Sequence, residues 1–279
     1  MFTLNCKERL VVIDRPLVMG IINATPDSFY EDSRKPNADA ALELAEQMIT
    51  AGAALLDIGG QSTRPDSKRV GEEEEAERVL PVIETVHASF PDIIISIDTY
   101  YASVARQAVE AGASVVNDIS GGTMDENMMA TVGKLNVPYI CTHIKGTPET
   151  MQSKPMYEDV TKELLQYFID RVELCKQNGI KDIIIDPGFG FGKTSKHNFI
   201  ILKNLAVFSM LERPILAGLS RKATIYKTLG ITADEALNGS TVLHTIALLN
   251  GASILRVHDV RQAMEAVKLV EAYNANPSR

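Results

Sequence analysis

A carboxylate, Asp186, directly follows an apolar run within residues 183–193. The run is three isoleucines, and β-branched residues favour a strand that is buried on both faces. Pro187 ends the predicted strand, because proline has no N–H group to offer a neighbouring strand. Asp186 is therefore expected at the mouth of a buried strand, where a carboxylate needs a hydrogen-bond donor. That donor is either a ligand or, in the structural alternative, the backbone of the following turn.

The glycines that follow Asp186 match neither of two phosphate-binding motifs. A Walker A loop has four residues between its two glycines, whereas three residues separate Gly188 from Gly192. The dinucleotide fingerprint spaces its glycines unevenly, whereas these alternate strictly at positions 188, 190 and 192. The sequence thus predicts neither an ATP loop nor an NAD loop, and the glycines are expected to let a ligand approach the backbone.

The same pattern, a polar residue after a short apolar run, recurs along the chain. The residues that end predicted strands are Asn23, Asp57, Asp98, Asn117, His143, Asp186, Lys222 and His258. Helical segments separate these strands and form eight strand–helix units with them. In a (β/α)₈ barrel the carboxyl ends of all strands meet at one rim, where catalytic groups lie. These polar side chains are therefore expected to face a common site.

The predicted fold is α/β, a (β/α)₈ TIM barrel with a short N-terminal β-hairpin, in a single domain over residues 1–279. The hairpin is predicted within residues 3–15, and the strands at 18–22, 55–58, 93–97, 115–116, 138–142, 183–185, 214–219 and 254–257. Helices are predicted at 38–50, from 72, and at 102–111, 128–135, 157–178, 198–208, 233–250 and 261–273. A doubly wound open sheet is the competing fold, but the glycine fingerprint expected after its first strand is missing.

Composition and charge exclude several classes of function. The formal net charge of −8 argues against nucleic acid or an anionic membrane as the main partner. Three scattered cysteines, Cys6, Cys141 and Cys175, predict neither a disulfide framework nor a zinc site. The sequence shows no signal peptide and no apolar run of membrane-spanning length, so we expect a cytoplasmic protein.

Two kinds of recognition are combined at the predicted rim. Asp98, Asn117 and Asp186 offer acceptors that suit the paired N–H groups of a planar heterocycle. Lys222 is a cation that could meet a ring carbonyl or ring nitrogen. A separate group, Thr63, Arg64, Arg256 and His258, is rich in cations and donors and suits phosphate. Asn23 could add an oxygen ligand for a metal. The rim therefore predicts a substrate that carries both a heterocycle and an anionic group.

Several long segments, in this order, carry a resemblance to a known family. They read MGIINATPDSFYED, LLDIGGQSTRP, SIDTY, VNDISGG, HIKGTPETMQ, DPGFGFGK, LAGLSRK and ILRVHDV. From residue 18 to about residue 273 the chain resembles the dihydropteroate synthases of bacterial folate biosynthesis. The resemblance implies a transferase that joins 6-hydroxymethyl-7,8-dihydropterin pyrophosphate to p-aminobenzoate and releases pyrophosphate. It also implies Mg²⁺, a homodimer and inhibition by sulfonamides.

The same resemblance implies roles for individual side chains. The pterin is expected to bind to Asp98, Asn117, Asp186 and Lys222, and the pyrophosphate to Asn23, Thr63, Arg64, Arg256 and His258. The p-aminobenzoate site is expected to be formed by Thr63, Arg64, Phe191, Ser220 and Lys222. Asn23 is the expected metal ligand, and Asp98, Lys222, Arg256 and His258 are the expected catalytic residues. Asp98 would stabilise the positive charge that spreads into the pterin as its C–O bond breaks.

The placement of charges predicts the order of events. The sequence offers no evident general base for the amine of p-aminobenzoate, which is unprotonated at neutral pH. We therefore expect C–O cleavage to run ahead of C–N bond formation, in an SN1-like reaction. The loop at residues 24–36, which carries Asp27, Glu31 and Asp32, is expected to complete the p-aminobenzoate site after the pterin substrate binds.

The sequence departs from the family pattern in three places. Phe29 is followed by Tyr30-Glu31-Asp32-Ser33, where the family has Ser-Asp-Gly-Gly, which leaves open whether Glu31 or Asp32 acts for the loop. Gln61 stands where glutamate is commoner. Ala223 replaces a serine, so Thr224 or backbone N–H groups of the following helix would have to meet the p-aminobenzoate carboxylate.

Two other functions share parts of this pattern. A pterin-dependent methyltransferase of the same superfamily would need the pterin acceptors but no pyrophosphate site. A degenerate copy could bind a pterin without catalysis, since a fold can outlive its function.

Other titratable residues receive structural interpretations. The four glutamates at 72–75 are interpreted as the solvated first turn of a helix. His87, His197 and His244 are interpreted as surface or core residues, and His143 as a brace for the rim.

Overall fold

The structure is a computed structural model that describes residues 1–7, 9–25, 34–61, 69–147, 151 and 155–275. Within these residues, eight parallel strands form one sheet: β3 (Leu17–Asn23), β4 (Leu55–Gly59), β5 (Ile94–Asp98), β6 (Val115–Asp118), β7 (Tyr139–Thr142), β8 (Ile183–Asp186), β9 (Leu216–Ala217) and β10 (Ile254–Val257). Each strand is rich in β-branched or aliphatic residues that are buried on both faces, as parallel strands between helices require.

The sheet closes on itself as a barrel. Its strand order is β8-β7-β6-β5-β4-β3-β10-β9, so neighbours in the sheet follow the chain except where β10 meets β3. A parallel bridge between Ile185 and Ile215 joins the two ends. The (β/α)₈ prediction is confirmed, and the carboxyl ends of all eight strands share one rim.

Helices follow the strands and cover the outside of the barrel. They are α1 (Arg34–Thr50), α2 (Glu72–Ser89), α3 (Ala102–Ala111), α4 (Met128–Leu135), α5 (Val160–Gln177), α6 (Ser195–Lys203), α7 (Ala223–Leu229), α8 (Leu237–Leu249) and α9 (Val260–Ala275). Short 3₁₀ helices at Leu205–Leu211 and Asp234–Ala236 follow α6 and precede α8. The apolar contacts between this helical layer and the strands form the main core.

The predicted and observed helix boundaries differ in several places, including α1, which begins at residue 34, and α5, which begins at Val160. The helix predicted from residue 198 begins at Ser195, because Thr194 and His197 exchange hydrogen bonds in a capping box. Two helices, α7 and α8, follow the seventh barrel strand, whereas the sequence predicts only one, at 233–250. Gly230, with φ of 68°, ends α7 in the left-handed conformation that favours glycine.

The N-terminal hairpin closes the end of the barrel opposite the rim. β1 (Phe2–Cys6) and β2 (Arg9–Ile13) pair antiparallel. Leu4, Cys6 and Ile13 pack on a layer of residues near the amino ends of the barrel strands: Met19, Leu55, Ile94, Val115, Ile140, Ile184, Leu216 and Ile254. The backbone N–H of Asn5 donates to Asp182 at 2.8 Å, which ties the hairpin to the residue before β8.

None of the helices in the described ranges is long and apolar enough to span a bilayer. The three cysteines are buried free thiols.

Candidate active site

Arg256 pairs with carboxylates from two other barrel strands. Its Nε lies 2.5 Å from Oδ2 of Asp57, and its Nη2 lies 2.6 Å from Oδ2 of Asp98. Asn117 donates through Nδ2 to the same oxygen of Asp57 at 2.9 Å. Residues from β4, β5, β6 and β10 therefore form one hydrogen-bonded group. The sequence identified Asp57 as a strand end but gave it no role, and it proves to be the anchor of this group.

Burial controls the charges in this group. Burial raises the pKa of Asp98 to about 7, Arg256 opposes that rise, and Asp57 adds to it. Burial alone would lower the pKa of Arg256, but Asp57 and Asp98 raise it above its ordinary value. Arg256 is thus a permanent cation held between two carboxylates. Asp98 has an oxygen beyond the ion pair with which to face a ligand.

Asp186 keeps one oxygen available for a ligand. Its Oδ1 accepts the backbone N–H of Gly188 at 2.8 Å, the turn contact considered as the structural alternative. Gly218 leaves space beside the other oxygen, because a Cβ built there would lie 4.0 Å from Oδ2 of Asp186 and 3.7 Å from Nζ of Lys222. Burial raises the pKa of Asp186, and Lys222 opposes that rise. The turn and the ligand can therefore share the carboxylate.

Lys222 follows the seventh barrel strand and reaches the glycine loop, residues 187–192. Its Nζ donates to the carbonyl of Phe189 and lies 4.7 Å from the ring centroid of Phe191. Burial lowers the pKa of Lys222 to about 8, although Asp186 opposes the effect. The structure thus brings Phe191 and Lys222, both predicted on the p-aminobenzoate side, into contact.

A second lysine, Lys193, donates hydrogen bonds to carbonyl groups of the glycine loop. It is 3% exposed, and its Nζ donates to the carbonyls of Gly188 and Phe191, each at 3.0 Å. The same Nζ lies 2.9 Å from Nδ1 of His143. Burial lowers the pKa of His143 to about 2, with Lys193 adding to the effect, so this imidazole is neutral. His143 therefore braces the rim as interpreted, but the sequence analysis missed Lys193, whose only signal was its place after three alternating glycines.

His258 is held by a serine from the neighbouring strand end. Oγ of Ser220 lies 3.0 Å from Nδ1 of His258 and accepts the backbone N–H of His258 at 3.2 Å. Burial lowers the pKa of His258 to about 4, and the nearby Arg256 lowers it further. Ser220, predicted beside p-aminobenzoate, thus also contacts a residue predicted to bind pyrophosphate.

The interpretation of the glutamates at 72–75 as a solvated first turn is confirmed for the first three and is wrong for Glu75. Glu75 has no exposed surface, and it accepts a hydrogen bond from Nε2 of Gln61 at 2.7 Å. Burial raises the pKa of Glu75 to about 7. The amide of Gln61 also accepts the N–H of Val70 at 3.2 Å and donates to its carbonyl at 2.9 Å. The departure at position 61 is therefore matched to a buried carboxyl group, because an amide can donate to it.

Some of the remaining predicted residues lie outside the described part of the chain, and the others can be placed. Thr63, Arg64, Asp27, Glu31 and Asp32 lie outside the described residues. Asn23 ends β3 beside Gly59 of β4, with its side chain half-buried. Thr224 is buried, and its hydroxyl accepts from Asn198 at 2.7 Å.

The chain is similar to known proteins over most of its length. The family model for "Pterin binding enzyme" matches residues 19–258. The chain is 40% identical over 262 residues to the dihydropteroate synthase of Escherichia coli (strain K12), a match that covers 93% of this chain and 92% of that protein.

The fold of this chain is similar to solved structures over almost its full length. The Xanthomonas albilineans dihydropteroate synthase with 4-aminobenzoic acid has a TM-score of 0.92 and 38% identity, over 99% of each chain. The same organism's enzyme in complex with 7,8-dihydropteroate has a TM-score of 0.89 and 36% identity, over 99% of this chain and 100% of that one. The Yersinia pestis dihydropteroate synthase with a sulfonamide drug complex has a TM-score of 0.93 and 38% identity, with the same coverage. This chain therefore belongs to the pterin-binding enzyme family, and within it to the dihydropteroate synthases.

Proposed function

We propose that this chain joins 6-hydroxymethyl-7,8-dihydropterin pyrophosphate to p-aminobenzoate, giving 7,8-dihydropteroate and pyrophosphate. The observation that carries the proposal is the pairing of two features at one rim. Asp186 and Lys222 offer an acceptor and a donor beside Gly218, and Arg256 stands between Asp57 and Asp98. The relatives solved with 4-aminobenzoic acid and with 7,8-dihydropteroate support the choice of substrates.

The hydrogen bonds within the protein decide which atoms remain for the pterin. Oδ1 of Asp186 is occupied by Gly188, so Oδ2 would accept from the amino group and ring N–H of the pterin. Nδ2 of Asn117 is occupied by Asp57, so its carbonyl oxygen would face the ligand as an acceptor. Lys222 would donate to the ring. The site thus presents two acceptors and one donor to one edge of a heterocycle.

Asp98 would act on the charge that develops during the reaction. As the C–O bond to pyrophosphate breaks, positive charge spreads into the pterin ring, and a nearby carboxylate stabilises it. Asp98 is held in place by Nη2 of Arg256. The amine of p-aminobenzoate would then capture the cation, forming the C–N bond and releasing a proton to solvent. Cleavage would therefore precede capture, and the pterin substrate would bind first.

The leaving pyrophosphate would be held by Arg256, His258 and Asn23, with Thr63 and Arg64 completing the anion site. A Mg²⁺ ion fits this arrangement, because Mg²⁺ usually takes only one or two protein oxygens and fills its shell with phosphates and water. No group of three or more possible ligands from His, Cys, Asp and Glu occurs in the described part of the chain. Asn23 would supply the protein oxygen. The metal, when bound, neutralises charge on the leaving group.

The proposal also covers the domain, the compartment, an inhibitor class and the oligomeric state. The protein would work as a single domain over residues 1–279 in the cytoplasm, and it would bind sulfonamides in the p-aminobenzoate site. The Yersinia pestis relative, solved with a sulfonamide drug complex, supports the binding of sulfonamides. It would form a homodimer. The outer face of α8 supports this, since Val242, Ile246 and Leu249 lie on one side of the helix and are 50%, 37% and 52% exposed.

The decisive experiment is to incubate the protein with both substrates and Mg²⁺ and to measure pyrophosphate and dihydropteroate. We expect both products in equal amounts. Pterin binding without turnover would favour the degenerate pterin-binding protein, and methyl transfer from methyltetrahydrofolate would favour the methyltransferase. Calorimetry should show p-aminobenzoate binding only in the presence of pterin or pyrophosphate with Mg²⁺. Tight binding to the free protein would overturn the proposed order.

A further inference from the structure

We propose that Ser220 is a positioning residue that holds His258 as the neutral tautomer protonated on Nε2. His258 would then meet the leaving pyrophosphate as an uncharged donor. The role of the donor rests on the proposed function, whereas the tautomer is a property of the protein alone. Ser220 follows β9 and His258 follows β10, so two neighbouring strand ends bring the residues together.

The first step of the argument is that Oγ of Ser220 is already an acceptor. The backbone N–H of His258 can only donate, and it donates to Oγ at 3.2 Å. The same oxygen lies 3.0 Å from Nδ1 of His258. In the part of the chain that the structure describes, these two contacts are the hydrogen bonds of this hydroxyl.

The second step concerns the hydroxyl proton. Ser220 is 4% exposed, so its proton needs an acceptor inside the protein. If Nδ1 of His258 is unprotonated, it accepts that proton and every polar atom of the contact is satisfied. If Nδ1 carries a proton, Oγ accepts twice and a buried O–H donor has no partner. The contact therefore disfavours both the Nδ1–H tautomer and the doubly protonated imidazolium.

The surrounding charges act in the same direction. Arg256, Arg221 and Lys222 all oppose a further positive charge on His258, and burial opposes it most strongly. Asp259 would favour the charge, but both of its oxygens accept from the guanidinium of Arg221, at 2.9 Å each. The imidazole of His244, buried in α8, is also lowered in pKa by burial and supplies no negative charge. His258 is thus neutral at physiological pH.

The chemical consequence concerns the anion site. With Nδ1 occupied by Ser220, Nε2–H is the ring group left for a ligand. A neutral N–H donor can bind a pyrophosphate oxygen throughout the pH range in which the substrate is fully ionised. Its hydrogen bond does not depend on protonation of the histidine, and it transfers no proton when the leaving group departs. Arg256 supplies the permanent charge and His258 supplies directed hydrogen bonding.

The test is ¹⁵N NMR of the protein labelled in histidine, with the signal of His258 assigned by its loss in His258→Gln. We expect the Nε2–H tautomer between about pH 5.5 and 8.5, with no titration in that range. Ser220→Ala should raise the share of the Nδ1–H tautomer about tenfold, the worth of one hydrogen bond of about 1.4 kcal/mol. Ser220→Thr, which keeps the hydroxyl, should behave as the wild type, and Ser209→Ala is the control for a surface serine.

Two results would overturn the proposal. One is a wild-type His258 that is protonated or carries its proton on Nδ1, and the other is an unchanged tautomer in Ser220→Ala with normal circular dichroism. If Ser220→Ala fails to fold, the wild-type spectrum alone decides. These readouts need no substrate, so they stand even if the protein fails to release pyrophosphate. In the active enzyme, Ser220→Ala should weaken the binding of the pyrophosphate substrate more than the binding of the same pterin without pyrophosphate. Ser220→Thr should restore the affinity for the pyrophosphate substrate.

Discussion

Arg256 and Asp57 form an ion pair whose carboxylate has no exposed surface, with Nε 2.5 Å from Oδ2. The pair fixes the plane of the guanidinium before any ligand arrives. The second oxygen of Asp57, Oδ1, has no hydrogen-bond partner among the described residues. The site is thus preorganised around an anion that is itself inaccessible, and Arg256 needs little rearrangement to meet a leaving group.

The first prediction removes that buried anion. Asp57→Asn should destabilise the fold by about 3–5 kcal/mol, because it leaves a buried cation with a single carboxylate. Urea unfolding would measure the change. Glu265→Gln is the control, since its ion pair with Arg261 is exposed and should contribute less than about 1 kcal/mol. Equal effects of the two changes would show that burial of the pair is unimportant.

The second prediction concerns the pterin acceptor. Asp186→Asn can keep the contact with Gly188 through its amide oxygen, so the fold should survive. It presents an N–H₂ group where the pterin needs an acceptor, and its affinity for the pterin should fall by roughly 1–3 kcal/mol or more. Calorimetry would measure this, with the exposed Asp92→Asn as the control. Wild-type affinity in Asp186→Asn would refute the assignment.

The third prediction concerns Lys193, which donates to the glycine loop. Lys193→Met would leave the carbonyl of Phe191 without its donor, at about 1–3 kcal/mol, and would leave the carbonyl of Gly188 with the N–H of Phe191 alone. We expect lower stability together with weaker pterin binding, because Gly188 also orients Asp186. The matched control is Lys196→Met on the exposed surface of α6, which should change neither property. Normal pterin affinity in a destabilised Lys193→Met protein would restrict Lys193 to a structural role.

The fourth prediction is a pH dependence of pterin binding. Burial lowers the pKa of Lys222 to about 8, so its charge is present below that pH and is lost as the pH rises through it. Affinity for the pterin should therefore decline above about pH 8. Lys222→Met should bind more weakly and should lack this decline. A decline that persists in Lys222→Met would assign it to another group.

The fifth prediction concerns Glu75 and the stability of the fold. Burial raises its pKa from 4.5 to about 7, so the folded state binds a proton more tightly than the unfolded chain does. The stability from this proton is complete below pH 4.5 and is lost as the pH rises through 7. Glu75→Gln should therefore stabilise the protein at pH 8 relative to pH 5, by roughly 1–3 kcal/mol. A gain of equal size at both pH values would contradict the raised pKa.

The barrel and most rim residues were predictable because they depend on local patterns. A short β-branched run followed by a polar residue indicates both the strand and the direction of its last side chain, as for Asp98, Asn117 and Asp186. Ala223–Leu229 was not predicted as a helix of its own, because it is only seven residues long and contains three β-branched residues.

The buried charges could not be predicted from the sequence. Glu75 stands in a run of four glutamates, and only the packing of α2 against the barrel distinguishes it from the others. Lys193 is buried because carbonyls from two loops surround its Nζ. The contact between Ser220 and His258 joins residues 38 positions apart, and no local spacing reveals it. Such contacts belong to the assembled barrel and leave no pattern in the chain.

The N-terminal hairpin limits the order in which parts of this protein can fold during synthesis. Ribosomes make residues 2–13 before any strand of the barrel, yet the surface on which these residues pack includes Ile254 of the last barrel strand. That surface is incomplete until the last barrel strand has been synthesised. Leu4, Cys6 and Ile13 therefore remain unpacked during most of synthesis. At that stage exposed apolar residues are prone to aggregate. A segment made before the whole barrel is therefore among the last that can reach its native position.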